Sequence, residues 1–122
     1  MSDQTDEQIG RRYTPGPWKV EGEFDAEVPV TIVGQDDRMI IEIEPYFLGE
    51  WEPHEIANAR LIAAAPELLE ACKAELASVE DDWRISARSF APNPDEHEAG
   101  VLAEYRQVIG KLKRAIAKAE GK

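Results

Sequence analysis

Polar side chains that could bind a small ligand lie inside an alanine-rich segment near the middle of this sequence. Asn58 and Arg60 stand among small neighbours, which would let a ligand come close. An asparagine amide can bond a base edge or a ribose, and an arginine can hold a phosphate through two donors. The alternative is structural: Asn58 would bond the backbone of a strand, and Arg60 would pair with a carboxylate.

Aromatic side chains and a histidine precede this pair. Tyr46, Phe47 and Trp51 lie in a predicted loop, where they could stack on a base or form a lid over the core. His54 comes four residues before Asn58 and would share its face of a helix. The predicted ligand-binding residues are Asn58, Arg60, Trp51, Tyr46 and His54.

No arrangement of residues predicts catalysis or metal binding. His54 and His97 are far apart and lack the spacing of a helical metal site. Cys72 has no identifiable base partner. Glu42 and Glu44 share a predicted strand face, and a solvated surface explains them better than a pair of catalytic acids. We therefore expect a protein that is not an enzyme and that uses no cofactor and no metal.

The net charge of −11 is concentrated in the N-terminal half. Residues 1–65 hold 14 acidic and 5 basic side chains, whereas residues 66–122 hold 11 and 9. Such a chain is expected not to bind nucleic acid directly, because phosphate contacts need Lys and Arg. The acidic surface could dock on a basic protein, although a charge that only keeps the protein in solution is the simpler interpretation.

The composition also gives an expectation for the cellular compartment of the protein. A single cysteine excludes an internal disulfide, and no apolar run approaches the roughly 20 residues of a membrane helix. The first eight residues are polar and acidic, unlike a signal peptide. We expect a cytoplasmic protein that does not bind a membrane.

Strand and turn signals occupy the first half of the chain. Residues 1–12 carry almost nothing apolar and predict a disordered tail, and residues 13–122 predict a single α+β domain. Three strands are predicted from β-branched or alternating segments: Trp18–Glu21, Val28–Val33 and Met39–Glu44. Turns are predicted between them, at Gly22–Glu27 and at Gly34–Asp37. Together they predict an antiparallel meander with one acidic, solvated face.

Helix signals occupy the second half. Pro53 suits the first turn of a helix, where its missing N–H costs nothing. The first helix is predicted from about His54 to Ala65, and Pro66 predicts a kink or break before the next one. The second helix has an apolar stripe at spacings of 3 and 4, made of Leu69, Cys72, Leu76, Val79 and Trp83. The capping pair Asp95 and Glu98 begins a last helix, whose stripe contains Leu102, Tyr105, Ile109, Leu112 and Ile116.

The fold class is therefore α+β, with a small N-terminal antiparallel sheet of about three strands packed on a C-terminal helical hairpin. Arg84 and Arg88 lie one turn apart near a helix end, where they could form an anion site or complement the helix dipole. A second, partly apolar side of the hairpin predicts a homodimer formed through helices. Its members are Leu61, Ile62, Leu68, Val101 and Val108.

Two segments resemble a known group of proteins. Thr14-Pro15-Gly16-Pro17-Trp18 is followed some forty residues later by a longer alanine-rich segment that runs from Ala57 to Ala71. Together they resemble a widespread group of small phage and prophage proteins. The order of strands followed by two helices also looks like the phage proteins that sequester cyclic nucleotide signals of the Thoeris immune system.

The resemblance implies a non-enzymatic counter-defence protein in the host cytoplasm that binds and sequesters a small nucleotide-type immune signal. Its partner would be a cyclic nucleotide-type ligand. The charge supports an alternative, in which an acidic inhibitor occupies the nucleic-acid channel of a bacterial defence protein, as some CRISPR inhibitors do. Calorimetry with nucleotides distinguishes the two hypotheses.

Overall fold

The computed structural model describes residues 13–24, 28–45 and 50–122. The chain divides into two compact units, residues 1–68 and residues 69–122. The architecture is α+β, with three strands followed by helices, which confirms the predicted fold class. The predicted tail, residues 1–12, lies outside the described residues. No described helix is both long and apolar enough to cross a membrane.

The first unit contains a three-stranded antiparallel sheet in the order β1-β2-β3. All three predicted strands are confirmed, each shorter than predicted by one or two residues. Their bounds are Lys19–Glu21 for β1, Val30–Val33 for β2 and Met39–Ile43 for β3.

The strand register separates an apolar face from a solvated one. Val30 pairs with Ile43, and Ile32 pairs with Ile41, so that these side chains share one face. Val30 and Ile32 are fully buried, whereas Ile41 on the edge strand is 43% exposed. On the opposite face Thr31 lies between Glu21 and Glu42, in agreement with the predicted acidic side.

A tight turn joins β2 to β3 at the predicted position. The Gly34 N–H donates to the Arg38 carbonyl over 2.8 Å, and the Asp37 N–H donates to the Gly34 carbonyl over 3.0 Å. Asp37 has a φ of +61°, a conformation that aspartate adopts more readily than most residues. A register irregularity between Ile32 and Val33 accompanies the turn.

The segment around Trp18 is held by close contacts. The Trp18 indole N–H donates to the Thr14 carbonyl over 2.9 Å. A Cβ atom added to Gly34 would lie 2.8 Å from the Thr14 methyl, and one added to Gly16 would lie 2.7 Å from Pro66 Cβ. The two segments that carry the resemblance to phage proteins are therefore in contact, and their small residues and prolines have a structural role.

Helix α1 (Pro53–Ala63) contacts β1 and β2. Pro53 occupies its first turn as predicted, and the Glu52 N–H donates to the Glu55 carboxylate over 2.8 Å. Ala59 is fully buried, and only a small side chain lets the helix come so close. The predicted break is confirmed, since α1 ends at Ala63 and the next helix begins at Ala65.

The second unit is an antiparallel pair of long helices, α2 (Ala65–Phe90, which begins in the first unit) and α3 (Glu96–Ala119). Three cross-helix contacts fix the direction: Lys73 with Glu120, Glu80 with Lys113, and Trp83 with Arg106. The predicted capping pair begins α3, with the Glu98 N–H 2.8 Å from the Asp95 carboxylate.

All residues of the two predicted apolar stripes are buried or half-buried, but only Val79 and Leu102 have less than a tenth of their surface exposed. Two helices alone cannot enclose a full stripe, and the other stripe residues remain half-buried. The fully buried strand residues, Val30 and Ile32, lie in the first unit. In that unit Leu61 and Leu68 are exposed, and the homodimer inferred from such side chains stays a prediction.

An ion pair joins Lys73 of α2 to Glu120, the C-cap residue of α3, and predicts a pH dependence of stability. Lys73 Nζ lies 2.7 Å from Glu120 Oε2, whose side chain is 16% exposed. The hydrogen bond from Lys73 lowers the pKa of the Glu120 carboxyl below its ordinary value of 4.5. A carboxyl with a depressed pKa in the folded state stabilises the fold above its unfolded pKa, and this contribution is lost as the pH falls.

The variant Glu120→Gln is therefore expected to have a lower urea midpoint than the wild type at neutral pH. The difference should shrink as the pH falls below about 4.5, because the wild-type carboxyl is then protonated as well. Glu104→Gln, an exposed substitution on the same helix, is the control and should show no such trend. A difference that is constant from neutral to acidic pH would contradict this role of Glu120.

Candidate functional site

Two of the predicted ligand-binding residues meet on a third side chain in the first unit. Trp51 packs edge-on against Phe24, with ring centroids 5.1 Å apart and an interplanar angle of 82°. The Arg60 guanidinium lies over the same Phe24 ring, 5.8 Å from its centroid. Phe24, Trp51 and Arg60 thus form a cluster, called the aromatic–arginine cluster below.

The chain reaches this cluster from three places. Phe24 lies three residues beyond β1, Trp51 comes immediately before the first residue of the α1 capping box, and Arg60 belongs to the last turn of α1. Pro53 and the Glu52–Glu55 pair fix where α1 begins. That start in turn sets the position of Trp51 and the direction in which Arg60 leaves the helix.

Trp51 has an unusual polar group. Its ring is half-buried, and its indole Nε1 is shielded from solvent with no hydrogen-bond acceptor among the described residues. A buried N–H without an acceptor is uncommon and unfavourable, by about 1–3 kcal/mol. A ligand that placed an oxygen or ring nitrogen beside it would regain that free energy.

Asn58 and His54 lie on a different face of α1 from Arg60 and are not part of this cluster. Both are exposed, and at 3.6 residues per turn Asn58 and Arg60 point about 160° apart around α1. Asn58 and His54 share a face as predicted, but it differs from the face that carries Arg60. Tyr46 and Phe47 lie outside the described residues, so their place in the site stays a prediction.

The sequence analysis missed Phe24. The residue follows a strand of only three residues and precedes a polar segment, and nothing in its spacing connects it to Trp51 or Arg60. The available signal was that Phe24 is an isolated aromatic side chain in a predicted turn, where large apolar residues are unusual.

The side chains of the cluster offer groups that can bind a ligand. An exposed guanidinium can pair with a phosphate or carboxylate, and the Phe24 ring beneath it keeps it in place through a cation–π contact. Trp51 supplies a ring edge and a donor. Among the residues that the structure describes, no group of His, Cys, Asp and Glu side chains could hold a metal ion.

The fold and the cluster define a small α+β protein with a cationic and aromatic surface site. A family model described as Salmonella phage P22 protein Y8K6 matches residues 1–122, and the chain belongs to this family. It is therefore a phage-type protein, which agrees with the resemblance drawn from its sequence. No curated protein and no solved structure matches the chain.

Proposed function

We propose that this protein is a non-enzymatic counter-defence protein that binds and sequesters a small nucleotide-type immune signal. The observation that supports the proposal best is the convergence of Arg60 and Trp51 on Phe24. A nucleotide needs a cation for its phosphate and aromatic surface for its base, and the cluster offers both within a few ångströms. Membership of a phage protein family supports a phage-encoded protein, and the counter-defence role is the proposal made for it.

The ligand is oriented by its charge. Its phosphate pairs with the exposed Arg60 guanidinium, and its base lies toward Phe24 and Trp51, where the unpaired indole N–H meets a ring nitrogen or carbonyl. Asn58 and His54 lie on a different face of α1 and contribute only if the ligand extends around the helix. Sequestration requires no reaction, because removal of the free signal is sufficient.

Arg60→Gln is expected to weaken nucleotide binding by at least about tenfold, because a charge-assisted hydrogen bond to phosphate is lost. Calorimetry with cyclic AMP, cyclic GMP and cyclic ADP-ribose measures the effect on whichever of them binds the wild type. Arg38→Gln is the matched control, since Arg38 lies in the β2–β3 turn beside Asp36 and outside the cluster. Absence of heat with every one of these nucleotides would refute the proposal.

The acidic face of the sheet supports a second candidate. Glu21 and Glu42 lie on either side of Thr31 on the solvated face, and such a surface could occupy the basic channel of a bacterial defence enzyme. Lys19 lies 3.6 Å from Glu21 and partly offsets this charge. An inhibitor of this kind would give no heat with nucleotides and would bind its partner less tightly as salt is added.

A further inference from the structure

A groove of about 460 Å³ runs along the helix pair in the second unit. Its volume is within the range of sites for small organic ligands. Glu80, Trp83 and Arg84 line it from α2, and Arg106, Ile109 and Lys113 line it from α3. All of these residues belong to residues 69–122, so the groove shares no residue with the aromatic–arginine cluster.

The lining of the groove is basic, although the protein as a whole is strongly acidic. Three cations and one carboxylate face it, in a chain whose net charge is −11. Lys113 pairs with Glu80 at 3.5 Å, and Arg84 pairs with Asp81 at 3.0 Å. Arg106 has no carboxylate within ion-pair distance in the described part of the chain. Arg106 is therefore the cation with the most to gain from an anionic ligand.

Arg106 and Trp83 form a unit across the two helices. The Arg106 guanidinium lies over the Trp83 ring, 5.7 Å from its centroid. The Trp83 indole Nε1 is shielded from solvent and has no hydrogen-bond acceptor among the residues that the structure describes. Among the described residues, the Trp83 ring thus carries an indole N–H without an acceptor and lies beneath the Arg106 guanidinium, which has no carboxylate partner. An anionic oxygen is a suitable partner for either group.

We propose that this groove binds a small organic anion, with a flat apolar body against Trp83 and Ile109 and a phosphate or carboxylate on Arg106. The guanidinium turns from the ring toward the charged group, and the ring face that it leaves is covered by the body of the ligand. Because the Trp83 N–H is shielded from solvent in the free protein, this movement must also expose it, and an oxygen of the ligand then accepts from it. This inference does not depend on the proposed function, because the two sites share no residue.

The three tryptophans of the chain provide separate reporters for the test. Each indole N–H gives its own signal in a ¹H–¹⁵N correlation spectrum, and single Trp→Phe variants assign the signals. Trp18 already donates to Thr14 and serves as the internal reference. The probe is phenyl phosphate, which has a flat ring and one phosphate. Inorganic phosphate and phenol test the two parts of the probe separately.

Phenyl phosphate is expected to move the Trp83 signal saturably, with a midpoint below about 1 mM, and to leave the Trp18 signal in place. Inorganic phosphate and phenol should each act at least about tenfold more weakly, because each lacks one of the two contacts. An unmoved Trp83 signal, a shift that never saturates, or an equal response to inorganic phosphate would overturn the proposal.

Matched variants identify the residues responsible. Arg106→Gln should weaken phenyl phosphate binding by about tenfold or more, whereas Lys111→Gln removes the same charge from an exposed position of α3 outside the groove and should change little. Trp83→Phe keeps a ring but removes the N–H and should also weaken binding, measured by calorimetry. An equal loss of phenyl phosphate affinity in Arg106→Gln and Lys111→Gln would show a general effect of charge and would overturn the proposed site.

The same spectra separate this inference from the proposed function. Nucleotides that bind the aromatic–arginine cluster move the Trp51 signal, and anions in the groove move the Trp83 signal. If the nucleotides leave Trp51 unmoved while phenyl phosphate moves Trp83, the proposed function fails and the groove stands. The converse result refutes the groove alone.

Discussion

Replacing Ile32 by alanine is expected to lower the free energy of unfolding by about 2–5 kcal/mol. Ile32 is fully buried at the centre of β2, and its neighbour Val30 is fully buried as well. Truncation removes apolar contacts and leaves a cavity that a sheet fixed by two hydrogen-bonded neighbours cannot close. Urea denaturation, followed by the fluorescence of Trp18 and Trp51 in the same unit, measures the change.

Ile41→Ala is the matched control for this prediction. Ile41 pairs directly with Ile32 and shares its face of the sheet, but it is 43% exposed. The same truncation there should cost about 1 kcal/mol, in proportion to the smaller area that it removes from burial. Equal losses in the two variants would mean that the apolar face of β3 is covered to the same extent as that of β2, which contradicts the structure.

Gly16→Ala is expected to destabilise the protein by about 1–3 kcal/mol, the usual cost of forcing extra volume into a packed site. The added Cβ would lie 2.7 Å from Pro66 Cβ and 3.2 Å from Pro66 Cγ. A proline ring cannot rotate away, and Pro66 is itself buried, so the backbone must move. Gly16 does not have a positive φ, and the loss is attributable to the contact rather than to backbone strain.

Gly100→Ala should have the opposite effect. Gly100 lies inside α3, and a Cβ added there meets nothing within 4 Å. Alanine in a helix interior is favoured over glycine by about 0.5–1 kcal/mol, and the urea midpoint should rise. If Gly16→Ala also raised the urea midpoint, that result would contradict the close contact between Gly16 and Pro66.

The elements of the fold could be predicted because each one depends on local signals. Alternation in β3, the proline at the start of α1 and the capping pair before α3 act over a few residues, and all three are confirmed. The predicted strands were one or two residues too long, because strand length depends on pairing with neighbours that local sequence does not encode. The contact of Gly16 with Pro66 joins residues fifty positions apart and gave no local signal.

The candidate sites were less predictable for the same reason. Trp51 and Arg60 could be singled out by residue type, but their meeting on Phe24 depends on how a turn folds back over α1. Trp83 was assigned to the apolar stripe of α2, which is correct for its ring and gives no indication of its unpaired N–H. Arg106 looked like any exposed helical cation, and only the pairing of α2 with α3 places it over that ring.

The turn between β2 and β3 constrains the length of the chain more than its composition. Side chains in a strand alternate between faces, so loss of one residue between Gly34 and Arg38 would reverse every side chain of β3 relative to β2. Glu42 would then face the buried side, and Ile41 and Ile43 would face water. A substitution at Gln35 or Asp36, both exposed, changes one side chain and leaves the register intact. We therefore expect an insertion or deletion in this turn to destabilise the sheet more than a substitution at Gln35 or Asp36.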